Sequence, residues 1–324
     1  MAEQRKWQVL FLSKISPENI KKVEEVDPGI KVYTAKSVTE ANDLLPKIDI
    51  VASLGWEFPK EAFVKAENLK WIHSLSAGVD ALFYPEFLES DVLLTNSRGV
   101  YDVPVAEHAF ALLTSLTRGI DRFYRFQMER VWKRSTITEM DGKVMGIIGL
   151  GSIGREIAKK AKLAYNMEVI ATKKRVRGNE PNVDRILPAD EVDELLRVSD
   201  FVVVATALTK ETEGMIGADE FKTMKDTAYI VNIARGKVIQ SKAILEALNK
   251  GWIAGAGLDV TDPEPLPSKD PLYEASNLII TPHMGAQAPQ DRHEQRTVQV
   301  FTKNLRAFMD NESMPTLVDR ERRY

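Results

Sequence analysis

Gly149-Leu150-Gly151-Ser152-Ile153-Gly154 stands between an apolar run, Val144–Ile148, and a stretch of good helix formers over 155–162. A strand, a glycine turn and a helix in that order can hold an anion. Gly149 permits the tight turn, Gly151 lets the backbone approach a pyrophosphate, and Gly154 lets the helix lie against the strand. The free N–H groups of the first helical turn, with Ser152 and Ile153 in it, face the phosphates together with the positive end of the helix dipole. A second apolar run over 168–172 completes the unit, so the spacing predicts a dinucleotide site. Such a site normally carries an acidic residue about 20 positions further on, accepting hydrogen bonds from the ribose hydroxyls. The chain has Thr172-Lys173-Lys174-Arg175-Val176-Arg177 there instead. Cations at that edge suit a 2'-phosphate, Lys as a point charge and Arg as a planar fork. NADP is therefore favoured, with NAD as the second choice; the competing reading is a run of solvated loop charges.

Proton transfer near neutral pH falls most readily to histidine, and the chain has four. His73 lies in an apolar strand, His108 in an apolar helix and His293 in a polar helix; each reads as structural. His283 follows Ile279-Ile280-Thr281-Pro282 at the end of a buried strand and precedes the small residues Gly285 and Ala286. That is where a cleft residue stands, so His283 is the acid/base candidate. Ala77-Gly78-Val79 forms a small-residue turn after a strand, where successive N–H groups can hold an anion. By itself it reads equally as an ordinary turn.

The elements that must position these residues are an alternating series. Strands are expected over 8–12, 30–33, 48–52, 70–74 and 93–95, with helices over 17–25, 38–45 and 59–66. A second series follows, with strands Val144–Ile148, 169–171, Phe201–Val204, Tyr229–Asn232, Gly255–Leu258 and Leu278–Ile280. This predicts an α/β protein with two doubly wound parallel sheets, a cleft between them, and ligands at the carboxyl ends of the strands. A linking helix is expected over 103–119 and a long terminal helix over 289–309. Phe123, Tyr124, Phe126 and Trp132, just after the first linker, read either as a subunit interface or as core. Trp56 walls a substrate pocket or fills a core.

Composition agrees with two domains in one chain of 324 residues with 44% hydrophobic residues. A net charge of -3 supplies no field for nucleic acid. The absence of cysteine excludes disulfides, thiolate catalysis and cysteine metal sites, and suits a reducing compartment. No metal site is expected. With no signal-type apolar core after the first residues and no run long enough to span a bilayer, a cytoplasmic protein without a membrane partner is expected.

The chain resembles the D-2-hydroxyacid dehydrogenase family over nearly its whole length, closest to the glyoxylate and hydroxypyruvate reductase branch. The matching segments are Ser74-Leu75-Ser76-Ala77-Gly78-Val79-Asp80, Thr95-Asn96-Ser97-Arg98-Gly99, Val105-Ala106-Glu107-His108, the glycine turn, Asn232-Ile233-Ala234-Arg235-Gly236, Gly257-Leu258-Asp259-Val260 with Pro263-Glu264-Pro265, and Thr281-Pro282-His283-Met284-Gly285. The resemblance implies a flavodoxin-like substrate domain from both chain ends, 1–103 and 289–324, and an inserted Rossmann cofactor domain, 104–288.

It also implies a catalytic triad of Arg235, Glu264 and His283. His283 would be general acid in reduction and base in oxidation. Glu264 would accept from the other ring nitrogen, holding the tautomer and favouring the imidazolium, and Arg235 would clamp the substrate carboxylate and polarise its ketone. Ala77, Gly78 and Val79 become a second carboxylate contact. Thr206 and Ala207 resemble the adenine side of the cofactor site, and Ala234 and Asp259 positions near the nicotinamide, although Asp259 reads equally as a cap. The implied activity is NADP-preferring reduction of a small 2-keto acid, glyoxylate or hydroxypyruvate, by a homodimer. Ser76-Ala77-Gly78 and the lack of a long terminal extension point to that branch. Formate dehydrogenases have Gln where Glu264 stands. Phosphite oxidation and a cofactor-sensing regulatory protein of the same fold are the alternatives.

Overall fold

Short apolar runs separated by polar segments become buried parallel strands in the amino-terminal part of the chain. In the computed structural model, which describes residues 7–176, 178–287 and 289–321, these are β1 (Trp7–Phe11), β2 (Ile30–Thr34), β3 (Ile50–Ser53), β4 (Trp71–Ser74) and β5 (Leu93–Asn96). They lie in the order β2-β1-β3-β4-β5, and every pairing is parallel. All residues of β3 and β4 are buried, as strands covered on both faces require. The crossovers include α1 (Pro17–Glu24), α2 (Lys60–Lys65) and α3 (Pro85–Leu88). Helix α1 starts where its caps dictate: Pro17 occupies the first turn, and Ser16 Oγ accepts from Asn19 N at 3.4 Å. The helix expected over 38–45 does not form. That segment is a series of turns ending in a 3₁₀ turn, Leu45–Lys47, because Thr39, Asn42 and Asp43 favour turns over helix.

The second series begins with α4 (Asp102–Thr117) and α5 (Ile120–Met128). It continues through β6 (Val144–Ile148), α6 (Ser152–Tyr165), β7 (Glu168–Lys173), β8 (Arg185–Pro188), α7 (Val192–Val198), β9 (Phe201–Val204), α8 (Ala218–Thr223), β10 (Tyr229–Asn232), α9 (Ser241–Lys250), β11 (Gly255–Leu258) and β12 (Leu278–Ile280). The strands lie in the order β12-β11-β10-β9-β6-β7-β8, all parallel. The chain runs outward in both directions from the neighbours β6 and β9, which makes a switch point at their carboxyl ends. Strand β8 has no counterpart in the sequence-based expectation. Only Leu187 in it is buried, and its edge position tolerates Pro188.

Helix α5 has no buried residue, and Tyr124, Met128 and Trp132 are exposed, Trp132 at 99%. The core alternative for this aromatic segment is thereby excluded. Trp56 is likewise exposed and fills no core.

Helix α10 (Gln290–Met309) closes the series. It belongs with the first sheet: the chain divides into two compact units, Met1–Tyr101 with Ala288–Tyr324, and Asp102–Gln287. Phe301 stacks on Trp71 with ring centroids 5.0 Å apart and meets Phe11 edge-on at 4.9 Å. Glu294 accepts from Ser16 N at 2.6 Å and Asn19 Nδ2 at 2.7 Å, fixing α10 to the start of α1. No helix among the described residues is long and apolar enough to cross a membrane.

His73 is wholly buried in this first unit, its Nδ1 2.7 Å from Thr95 Oγ1 and its Nε2 3.2 Å from Ser97 Oγ. Burial pushes its pKa down to about 3, so the folded chain holds the ring neutral. An unfolded histidine titrates at about 6.5. The unfolded state therefore binds more protons as pH falls through this window, and stability present above about pH 6.5 is lost toward pH 3, at up to about 1.4 kcal/mol per pH unit. His293, also lowered by burial, acts in the same direction. Urea midpoints measured at pH 7 and pH 5 should differ for the native chain and differ less for His73→Gln; an equal dependence in the variant would disprove the assignment.

Candidate active site

At the end of β6 the chain turns on Gly149, whose φ of +99° suits glycine and whose added Cβ would lie 2.7 Å from Thr206 Cα. Gly149 N donates to Thr172 Oγ1 at 3.3 Å and Leu150 N to Thr172 O at 3.0 Å. A side chain on Gly154 would overlap the Gly149 carbonyl, whereas one on Gly151 would meet only open space. Gly151 is the N-cap of α6 and offers no side chain to the first-turn amides, Ser152 and Ile153 among them. An uncapped helix N-terminus behind an unobstructed glycine fits a pyrophosphate. Thr172 departs from expectation: its side chain is buried and braces the turn, so its hydroxyl is not presented to a ligand. Thr206 packs on Gly149 through its backbone, and the exposed Ala207 accepts from Thr212 Oγ1 at 2.7 Å. The buried Ala234 donates its amide to Asn232 Oδ1 at 3.0 Å.

The basic edge is not a bare patch of cations. Lys173 at the end of β7 is ion-paired with Glu180, and Glu180 also receives Arg155 Nε at 2.8 Å and Nη2 at 2.9 Å. Lys174 Nζ lies 3.7 Å from Glu211 Oε1, both side chains well exposed, and Arg175 is exposed. Arg177 falls outside the described residues. Reading the cations alone missed Glu180 and Arg155; the available signal was an acidic residue in the same loop, just past Gly178.

Arg235, Glu264 and His283 follow β10, β11 and β12, three neighbouring strands running in one direction, so the connections that carry them leave the same edge of the sheet. Asn232 shapes the Arg235 turn, donating from Nδ2 to Arg235 O at 2.9 Å. Arg235 Nη1 donates to Ala234 O at 2.8 Å. Gly236 lies so close to the Thr261 carbonyl that a Cβ would overlap it, which joins this turn to the Glu264 loop. Glu264 accepts from Thr261 N at 3.0 Å through Oε1, while Oε2 lies 3.0 Å from His283 Nδ1. With Nδ1 so engaged, Nε2 of the partly exposed ring is the nitrogen left for chemistry.

His283 adopts a φ of +54°, unfavourable for a residue with a side chain. What holds it there is Asp259, 3% exposed. Its carboxylate accepts from Thr281 Oγ1 at 2.6 Å, Met284 N at 2.8 Å and Gly285 N at 2.9 Å, and its carbonyl accepts from His283 N at 2.8 Å. His108 Nε2 lies 3.1 Å from the same carboxylate and 2.8 Å from Thr281 Oγ1. His108 thus belongs to this cluster, which its apolar helix did not suggest. Among the described residues no group of three His, Asp or Glu could hold a metal ion.

In the first unit, Ser76 Oγ donates to Gly78 O at 2.6 Å and Asn96 Nδ2 to Ala77 O at 2.8 Å. The carbonyls of the turn are thereby tied down. The amides of Ala77, Gly78 and Val79 donate to no group among the described residues, which leaves a row of N–H groups suited to an anion.

The sequence profile described as "D-isomer specific 2-hydroxyacid dehydrogenase, NAD binding domain" matches residues 110–285. The chain is 34% identical over 325 residues to the glyoxylate reductase of Pyrococcus furiosus, covering 96% of this chain and 95% of that one. The crystal structure of a D-isomer specific 2-hydroxyacid dehydrogenase family protein from Aeromonas salmonicida superposes with a TM-score of 0.87 at 28% identity, covering 97% of this chain and 99% of that one. The D-isomer specific 2-hydroxyacid dehydrogenase of Xanthobacter autotrophicus, solved with NADPH and MES, gives 0.83 at 27% identity, covering 98% and 100%.

Asp259→Ala should strip Thr281, Met284 and Gly285 of their shared acceptor. We expect a loss of about 2 to 4 kcal/mol in urea unfolding and faster amide hydrogen exchange at Met284 and Gly285. Unchanged exchange there would show that the loop holds its shape without the carboxylate.

Proposed function

The chain belongs to the D-isomer specific 2-hydroxyacid dehydrogenase family and is an NAD(P)-dependent oxidoreductase; from that membership we propose that it reduces a small 2-keto acid, glyoxylate or hydroxypyruvate, to the D-2-hydroxy acid, with NADPH preferred to NADH. The observation that carries this is the His283 Nδ1–Glu264 pair of 3.0 Å, which leaves Nε2 to serve a ketone oxygen.

His283 Nε2 delivers the proton to the carbonyl oxygen and takes it back in oxidation. Glu264 holds the ring's tautomer and orientation, and Arg235 binds the substrate carboxylate and polarises the ketone. On the first unit, the amides of Ala77, Gly78 and Val79 take a carboxylate. When bound, the nicotinamide cofactor supplies the hydride. Gly149, Gly151, Ser152, Ile153 and Gly154 would hold its pyrophosphate, Thr206 and Ala207 would flank the adenine side, and Ala234 and Asp259 the nicotinamide side. Lys173, Lys174 and Arg175 would meet the 2'-phosphate, with Thr172 acting only through the turn it braces. The relatives called glyoxylate reductase support the substrate class, and the NADPH bound by the Xanthobacter enzyme supports the cofactor. The exposed Ile120, Tyr124, Met128, Val131 and Trp132 support a homodimer formed through this face. A chain without cysteine suits a cytoplasmic setting.

The direct test is absorbance at 340 nm after mixing with NADPH and glyoxylate or hydroxypyruvate; no turnover with either would favour a cofactor-sensing regulator. His283→Asn should lower kcat by about 100 to 10,000-fold while leaving the NADPH Kd nearly unchanged, and near-native turnover would move the proton donor elsewhere. The ratio of kcat/KM for NADPH over NADH should exceed one and fall as ionic strength rises, because exposed cations are screened. A preference for NADH at low salt would reverse the cofactor assignment.

A further inference from the structure

Lys173 is one residue beyond Thr172, whose backbone and hydroxyl accept from Leu150 and Gly149, so of the cations at this edge it stands nearest the glycine turn in sequence and along β7. Its ammonium is not freely offered. It is bound to Glu180, whose side chain is 13% exposed and which also accepts two hydrogen bonds from Arg155 in the first turn of α6. Arg155 and then Lys173 hold the Glu180 carboxyl down to about 2, so it is ionised at any working pH. The neighbouring Lys174–Glu211 pair is long and open to water on both sides. The two acids are thus unequal. Glu211 is a solvated surface charge, whereas Glu180 is a sheltered anion at the place where a 2'-phosphate would have to compete for the same lysine.

We propose that Glu180 is a positioning residue that sets cofactor selectivity: by occupying Lys173 it withholds that cation from a 2'-phosphate and so weakens the discrimination between 2'-phosphorylated and plain adenine nucleotides. This rests on the reading that the end of β7 receives the adenosine ribose. Two physical effects act in the same direction. A 2'-phosphate must displace or share the Lys173 ion pair, and it brings its own negative charge beside a carboxylate that cannot take up a proton to relieve the repulsion. While these contacts last Glu180 has little capacity to stand in for the missing ribose-binding acid, because Oε1 already accepts two donors and Oε2 one, which leaves about one acceptor site for the two ribose hydroxyls. Removing its charge while keeping its shape should therefore free Lys173 for the phosphate.

The test is calorimetric titration of the full chain with adenosine 2',5'-bisphosphate and with adenosine 5'-monophosphate, which differ only in the 2'-phosphate. Glu180→Gln should tighten the bisphosphate by about tenfold, the scale of one charge-assisted hydrogen bond made available, and leave the monophosphate unchanged. Lys173→Met should weaken the bisphosphate selectively, and adding Glu180→Gln to it should tighten the bisphosphate clearly less than in the native background, since only the relief of repulsion remains, a coupling that a merely structural salt bridge would not produce. Thermal midpoints of the variants check that each is folded. An unchanged bisphosphate affinity in Glu180→Gln would overturn the proposal, as would a weakened monophosphate, which would make Glu180 an acceptor for the ribose hydroxyls. Tightening that persists fully in the Lys173→Met background would overturn it too. A native chain that binds neither nucleotide would overturn the underlying ribose-site reading along with it.

Discussion

A carboxylate shut away from water must be given donors, and the second unit is organised around the donors given to Asp259. Three of them come from the loop that follows β12 and one from the imidazole of His108 on α4. Leaving such an anion without partners costs several kcal/mol, so the loop, the helix and the end of β11 are bound together by one requirement. The positive φ of His283 is tolerated because the amides on its far side and its own N–H are all spoken for by Asp259. The ring is therefore presented by a loop held from behind, and Glu264 need only orient it.

The parallel sheet turns residues remote in sequence into neighbours by a simple rule. Every strand ends at the same edge, so the residues after β10, β11 and β12 emerge side by side, in the order in which the strands pair. Gly236 tightens the arrangement, since only the absence of a Cβ lets the Arg235 turn lie on the Thr261 carbonyl. At the other end of the sheet the same logic brings the turn after β6 beside the last residues of β7, where Thr172 binds it. One edge thus carries both the glycine turn and the His283–Glu264 pair, and ligands of such folds gather at strand carboxyl ends.

Charge at the end of β7 is balanced more closely than a run of Lys and Arg suggests. Arg155, Lys173 and Glu180 form a partly sheltered group that links α6, β7 and the loop beyond it, while Lys174 and Arg175 remain in water. Solvent screening makes the exposed members weak individually. The sheltered lysine counts for more, and it is the one already engaged.

The sequence by itself determined what depends on neighbours along the chain. The glycine turn between an apolar strand and a helix, the place of α1, the buried strands and the family resemblance were all legible, because glycine spacing, helix-forming stretches and apolar runs are local. The segment over 38–45 misled because Thr39, Asn42 and Asp43 within it favour turns over helix, and β8 escaped because an edge strand is not required to be apolar. The site was legible only by type: His283 stood out by elimination, and Glu264 and Arg235 came through the resemblance, since nothing local links a histidine to a carboxylate 19 residues away. The tertiary structure decided which polar groups face inward. It turned Thr172 into a brace, paired Lys173 with Glu180, drew His108 into the Asp259 cluster and left the aromatic face of α5 in water. Apart from the Lys173–Glu180 pair, which is close in sequence, these outcomes depend on what a side chain meets across the fold, and hydrogen bonds and packing at long sequence separation leave no trace in the spacing of residues along the chain.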